Sequence, residues 1–106
     1  MGTRKQVLLG IDVGATGIKA GVFDDTGVLL ASAGRRNGPV QQPGGEPGWM
    51  IWDVERLWEG VCAASREALS QVQGEVAGVS VTGFGADGVP LGPGGELRYP
   101  MISWHC

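Results

Sequence analysis

From Gln6 to Val13 the chain runs through Val7, Leu8, Leu9, Ile11 and Val13 with almost no polar relief, the pattern of a strand covered on both faces. Gly14-Ala15-Thr16-Gly17 turns the chain, and Ile18, Ala20 and Val22 then alternate with Lys19, Gly21 and Phe23. A tight hairpin is expected to join these two strands. Asp24-Asp25-Thr26-Gly27 is a second turn signal, followed by a third strand through Val28, Leu29, Leu30, Ala31 and Ala33. The opening therefore predicts a three-stranded antiparallel meander. Residues 35–47, rich in Gly, Pro, Asn and Gln, read as one long irregular loop.

Asp53 is a good N-cap, and behind it Val54, Leu57, Trp58, Val61, Cys62, Ala68, Leu69 and Val72 recur at spacings of three and four. They predict an amphipathic helix that closes near Gly74, with Trp58 in its buried stripe. Trp49 and Trp52 are expected to staple the preceding loop to the helix start. Val76 to Thr82 reads as a fourth, buried strand. Two short extended pieces follow, around residues 89–91 and 97–104, with a Gly-Pro-Gly-Gly turn between them. Three antiparallel strands, a helix and a strand that rejoins the sheet match the start of the ribonuclease-H-like fold, an α/β arrangement with a mixed sheet.

The 106 residues, 42% of them hydrophobic, suffice for about one small domain. Charged residues make up 18%, and the net charge of −3 is scattered, which argues against nucleic acid as a partner. The apolar run after Arg4 and Lys5 is stopped by Asp12 before it could act as a signal core, and Gln6 stands where a myristoylation start needs Ser or Thr. No segment has the length to span a bilayer. Cys62 and Cys106 form no disulfide framework, so a reducing cytoplasm is expected. The 20 glycines imply tight bends or close backbone approaches, which directs attention to phosphate cradles.

Gly10-Ile11-Asp12-Val13-Gly14-Ala15-Thr16-Gly17-Ile18-Lys19 holds the strongest chemical signal. Small residues at a hairpin bend let phosphate oxygens approach backbone N–H groups, with a hydroxyl, a cation and a carboxylate for magnesium a few residues away. Phosphoryl transfer needs those parts. An ordinary hairpin with a soluble turn has the same composition, but a carboxylate ending an apolar strand is costly to bury without a cation or donors. The Walker pattern is excluded, since neither Lys5 nor Lys19 stands in its frame. Gly83-Phe84-Gly85-Ala86-Asp87-Gly88 matches the dinucleotide fingerprint in spacing, yet Pro90, Gly92, Pro93, Gly94 and Gly95 forbid the helix it must open. Asp87 either accepts hydrogen bonds from sugar hydroxyls or stabilises a turn. Trp104 admits a core role and a sugar-stacking role alike. His105 and Cys106 point to opposite faces if extended and so are not expected to share a metal or form a nucleophile pair.

Gly10 to Lys19, Pro47-Gly48-Trp49 with Trp52-Asp53, and Val76 to Trp104 together resemble the FGGY carbohydrate kinases of the actin-like ATPase superfamily, nearest to their fuculokinase branch and next to their rhamnulokinase branch. The resemblance implies an incomplete N-terminal part of the first kinase domain, spanning residues 1–106. It implies ATP and Mg2+ as cofactors and a small-molecule sugar as partner, with transfer of the γ-phosphoryl group to a hydroxyl of a ketose such as L-fuculose. By position, Asp12 would face the magnesium, Gly14 and Thr16 would line the phosphates, and Lys19 would be the basic residue beside them. Asp87 would bind sugar hydroxyls and Trp104 would wall the sugar. Ala15 replaces the Thr usual in the wider family, removing a hydroxyl contact. No catalytic residue is assigned, because the family's general-base Asp lies downstream of these positions, so this stretch by itself is expected to be inactive. A non-catalytic binding module on the same fold is the competing expectation.

Overall fold

The computed structural model describes residues 5–85 and 87–103. Strands β1 (Gln6–Val13), β2 (Gly17–Phe23) and β3 (Leu29–Arg36) form the expected antiparallel meander. Helix α1 (Val54–Ser70) leads into β6 (Glu75–Thr82), which returns parallel to β1 and gives the sheet order β3-β2-β1-β6. Before and after them, β4 (Val40–Gln41), β5 (Met50–Trp52) and β7 (Met101–Ile102) make a small antiparallel second sheet in the order β4-β5-β7. Residues 35–47 are thus not one irregular loop: β3 extends through Arg36, and Val40 finds a strand partner in Ile51.

The core lies between one face of the first sheet and α1. Val7, Leu9, Ile11, Ile18, Ala20, Val22 and Ala31 are buried there, against Leu57, Ala64 and Ala68 of the helix. Period-two alternation explains the selection, because successive strand residues point to opposite faces. The other face of β1 is open, with Leu8 43% exposed, so the continuous apolar run does not mean cover on both sides.

Asp53 caps α1 by accepting the Arg56 N–H at 3.2 Å. The helix stops at Ser70 with Gln71 as C-cap, short of Gly74. Gly74 has a different role: a Cβ there would stand 2.9 Å from the Lys5 carbonyl and 2.9 Å from Val7 Cγ1, so its lack of a side chain lets the chain start β6 against β1. Gly60 does the same for the helix, where a Cβ would meet Ile18 Cδ1 at 2.7 Å. Trp58 is not in the core; it is 66% exposed, because the sheet-facing stripe runs through Leu57, Gly60, Val61, Ala64 and Ala68, and Trp58 sits a third of a turn away. Trp49 is half exposed, whereas Trp52 is buried on β5.

β6 also departs from the expected core. Val76, Val79 and Val81 are exposed, although their partners Val7, Leu9 and Ile11 are buried. The reason is lateral position: α1 packs over β2 and β3 and reaches β1, while β6 is the edge strand beyond it. No helix among the described residues is long and apolar enough to cross a membrane.

Candidate functional site

The open face of the first sheet is organised in three rows set by strand register. Across the row nearest the β1–β2 bend stand Gly34, Lys19, Asp12 and Thr82; in the next, Ser32, Gly21, Gly10 and Ser80; in the third, Leu29, Phe23, Leu8 and Gly78. Polarity falls from charged to hydroxyl to apolar away from the bend. The paired glycines leave a floor without side chains, and the Phe23 ring edges over it, 3.3 Å from where a Gly10 Cβ would be. A cavity of about 370 Å³ follows, lined by Asp12, Lys19, Ser32, Ser80, Thr82 and Phe23 among others.

Asp12 and Lys19 are therefore brought together, opposite each other in adjacent strands and on one face. Asp12 is exposed, not buried, so no desolvation cost demands a cation beside it. Its side chain and that of Lys19 make no hydrogen bond or ion pair among the described residues, which leaves both available to a ligand.

The bend itself is held from β2 and from the residue after β3. Gly14 donates its N–H to the Gly17 carbonyl at 2.9 Å, and a Cβ on Gly14 would stand 2.9 Å from that same oxygen. The Gly14 N–H is consequently committed to the turn. Those of Ala15 and Thr16 have no partner among the described residues, and both positions are exposed. Asn37 clamps the bend from outside, donating its Nδ2 to the Gly14 carbonyl at 2.8 Å and its backbone N–H to the Thr16 carbonyl at 3.2 Å. Gly14 and Thr16 border the cavity's charged end but do not line it.

Asn37, Ser32, Ser80 and Thr82 escaped the sequence reading. Strand alternation could have found Ser80 and Thr82, which share a face with each other, but their pairing with Gly10 and Asp12 depends on the register of a parallel crossover. No local signal marks Asn37.

A second cluster lies at the start of α1. Asp87, five residues beyond β6, accepts a hydrogen bond on Oδ2 from the Trp52 indole Nε1 at 2.5 Å. Phe84 stacks on Trp52 with ring centroids 4.4 Å apart and planes 23° from parallel. Asp87 thus makes a contact across the fold, to a residue 35 positions away. No helix follows Gly83 to Gly88 among the described residues; the chain continues through a Leu91–Leu97 bridge to β7, paired with β5. Trp104, His105 and Cys106 lie outside the described residues.

The donor set bears on which cation the first cluster could hold. Among the described residues no three His, Cys, Asp or Glu side chains converge. An exposed carboxylate suits magnesium, which keeps waters and is commonly held by one or two carboxylates together with phosphate oxygens. Asp12 beside Lys19 fits that role.

Known proteins resemble this chain in sequence and in fold. L-fuculokinase of Haemophilus influenzae is 33% identical over 106 aligned residues, covering 94% of this chain and 22% of that protein. Glycerol kinase of Gloeobacter violaceus is 35% identical over 75 residues, covering 71% of this chain and 14% of its own length. Among solved structures, gluconate kinase from Lactobacillus acidophilus superposes with a TM-score of 0.82 at 23% identity, over 95% of this chain and 20% of that one. The chain thus spans about a fifth of the length of the L-fuculokinase, and its meander, helix and returning parallel strand are the ribonuclease-H-like start of the actin-like ATPase fold. The family profile of the N-terminal domain of FGGY carbohydrate kinases matches residues 7–106, and the chain belongs to the FGGY family of carbohydrate kinases.

Proposed function

We propose that the chain is the phosphate- and sugar-binding beginning of an ATP-dependent kinase that transfers the γ-phosphoryl group to a hydroxyl of a ketose, with L-fuculose the first candidate. The observation that carries this reading is the placement of Asp12 and Lys19 as register partners beside a bend with two uncommitted N–H groups. Asp12 would hold Mg2+, and Lys19, the Thr16 hydroxyl and the N–H groups of Ala15 and Thr16 would face phosphate oxygens. Bound Mg2+-ATP supplies the phosphoryl group and the cation that offsets its charge. The chain's own contribution is orientation and preset electrostatics, which need no rearrangement as charge develops.

Asp87 would accept hydrogen bonds from sugar hydroxyls, and Trp104 would wall the sugar. The base that removes the ketose hydroxyl proton is assigned to none of these residues. Cytoplasmic residence suits Cys62, which is a free thiol.

Titration calorimetry of the chain with Mg2+-ATP, and separately with L-fuculose, D-xylulose and glycerol, tests the proposal. Binding of Mg2+-ATP that weakens at least tenfold in Asp12→Ala is the expected result. Silence toward both nucleotide and every polyol would instead indicate a non-catalytic module.

A further inference from the structure

Asp87 lies in the stretch that links β6 to β7. Gly85 and Gly88, on either side of it in sequence, have nothing within 4 Å of where a Cβ would be. One contact to its carboxylate comes from the far side of the fold. Trp52 is 2% exposed and held on β5 by pairing with Met101, and its ring is further fixed by the Phe84 stack. Its indole has one donor, Nε1–H, and that donor meets Asp87 Oδ2 at 2.5 Å.

We infer that Trp52 is a positioning residue for Asp87, aiming its carboxylate at the sugar; the inference rests on the reading of Asp87 as a sugar contact. A carboxylate offers about four lone-pair directions, so an accepted indole N–H fixes its orientation without exhausting its capacity for hydroxyl donors. A hydrogen bond to a charged group from a buried, immobile ring is the kind that pre-sets geometry before a ligand arrives. Phe84 belongs to the same device, since it lies in the segment that carries Asp87 and packs on the ring that orients it. Trp52 does not touch the sugar in this arrangement and acts through Asp87.

The experiment replaces the ring's N–H without changing its shape. Trp52→benzothienylalanine puts sulfur where nitrogen stands, and Trp52→Phe serves as a second variant without the donor; Asp87→Asn probes the carboxylate itself. Affinity of the 106-residue chain for L-fuculose is measured by calorimetry, and the Trp52 indole proton is followed by nuclear magnetic resonance in parent and Asp87→Asn protein. The expected result is an indole proton that shifts upfield in Asp87→Asn, with L-fuculose affinity about tenfold lower in folded Trp52→benzothienylalanine, the size of one lost charge-assisted bond. Parent-like affinity in that variant, with Asp87→Asn still impaired, overturns the positioning role alone. Parent-like affinity in Asp87→Asn overturns the sugar-contact reading, and the inference with it, as does a parent chain that binds no L-fuculose.

Discussion

Asp12 on β1 stands directly across from Lys19 on β2, on the face of the sheet that α1 does not cover. Both side chains are exposed and unpaired, so their removal should barely change stability, by less than about 1 kcal/mol. Ligand binding separates them. Asp12→Asn should weaken nucleotide binding about tenfold with Mg2+ present and scarcely at all in EDTA, whereas the loss in Lys19→Met should persist without metal and shrink at high salt. Calorimetry under the three conditions checks both; a metal-independent Asp12→Asn effect would remove Asp12 from the magnesium site.

Gly74 and Gly60 are each approached too closely for a side chain, but by different neighbours. At Gly74 the obstacle includes the Lys5 carbonyl, which cannot rotate away, and Gly74→Ala should cost about 1–3 kcal/mol in urea unfolding. At Gly60 the obstacle is the tip of the Ile18 side chain, and alanine favours the helix by about 1 kcal/mol, so Gly60→Ala should cost distinctly less. Equal losses would contradict the distinction between backbone and side-chain obstacles.

The Asp24 carboxylate organises the β2–β3 turn. Its Oδ1 accepts from the Thr26 hydroxyl at 2.7 Å, the Thr26 N–H at 2.9 Å and the Val28 N–H at 2.9 Å. The Thr26 hydroxyl and the Val28 N–H, with lesser help from the Thr26 N–H and the Lys5 charge, hold this carboxyl below its ordinary range against an opposing effect of desolvation. Because the folded value is the lower one, the contribution is complete above the unfolded carboxylate range, about pH 4, and fades as pH falls through the folded value. Asp24→Ala should therefore be less stable than the parent at pH 7, and the gap between their melting temperatures should close progressively below about pH 4. A gap independent of pH would assign the turn's stability to something other than this charge.

The tryptophans differ sharply in what they support. Trp58, 66% exposed on α1, should tolerate Trp58→Ser within about 0.5 kcal/mol. Trp52, 2% exposed and stacked on Phe84, should lose about 3–5 kcal/mol on Trp52→Ala. Chemical unfolding of the two variants side by side reads the difference, and a comparable loss at Trp58 would put it back in the packed face.

Local pattern carried far in the first half of the fold. The meander was readable because its turns are built from residues adjacent in sequence: Asp24 and Thr26 bond each other, and Gly27, with φ of 91°, takes a conformation open mainly to glycine. Periodicity likewise placed α1 and its Asp53 cap. It misplaced Trp58, because a helix stripe wide enough to include residues 57 and 58 does not say where the sheet touches it. It also named β6 buried, since an apolar strand looks the same whether or not a layer lies above it.

What the sequence by itself determined was the chemistry within a few residues: a carboxylate, a small-residue bend, a hydroxyl and a cation between Asp12 and Lys19, joined by a two-strand hairpin. Tertiary structure decided which distant groups meet. Thr82 reaches Asp12 only through a parallel crossover, Asn37 reaches the bend only by leaving β3, and Trp52 reaches Asp87 across 35 residues. Hairpin register follows from short-range geometry and hydrogen bonding along the chain, whereas these contacts depend on how α1 and the second sheet pack, a property of the whole core that no window of sequence contains.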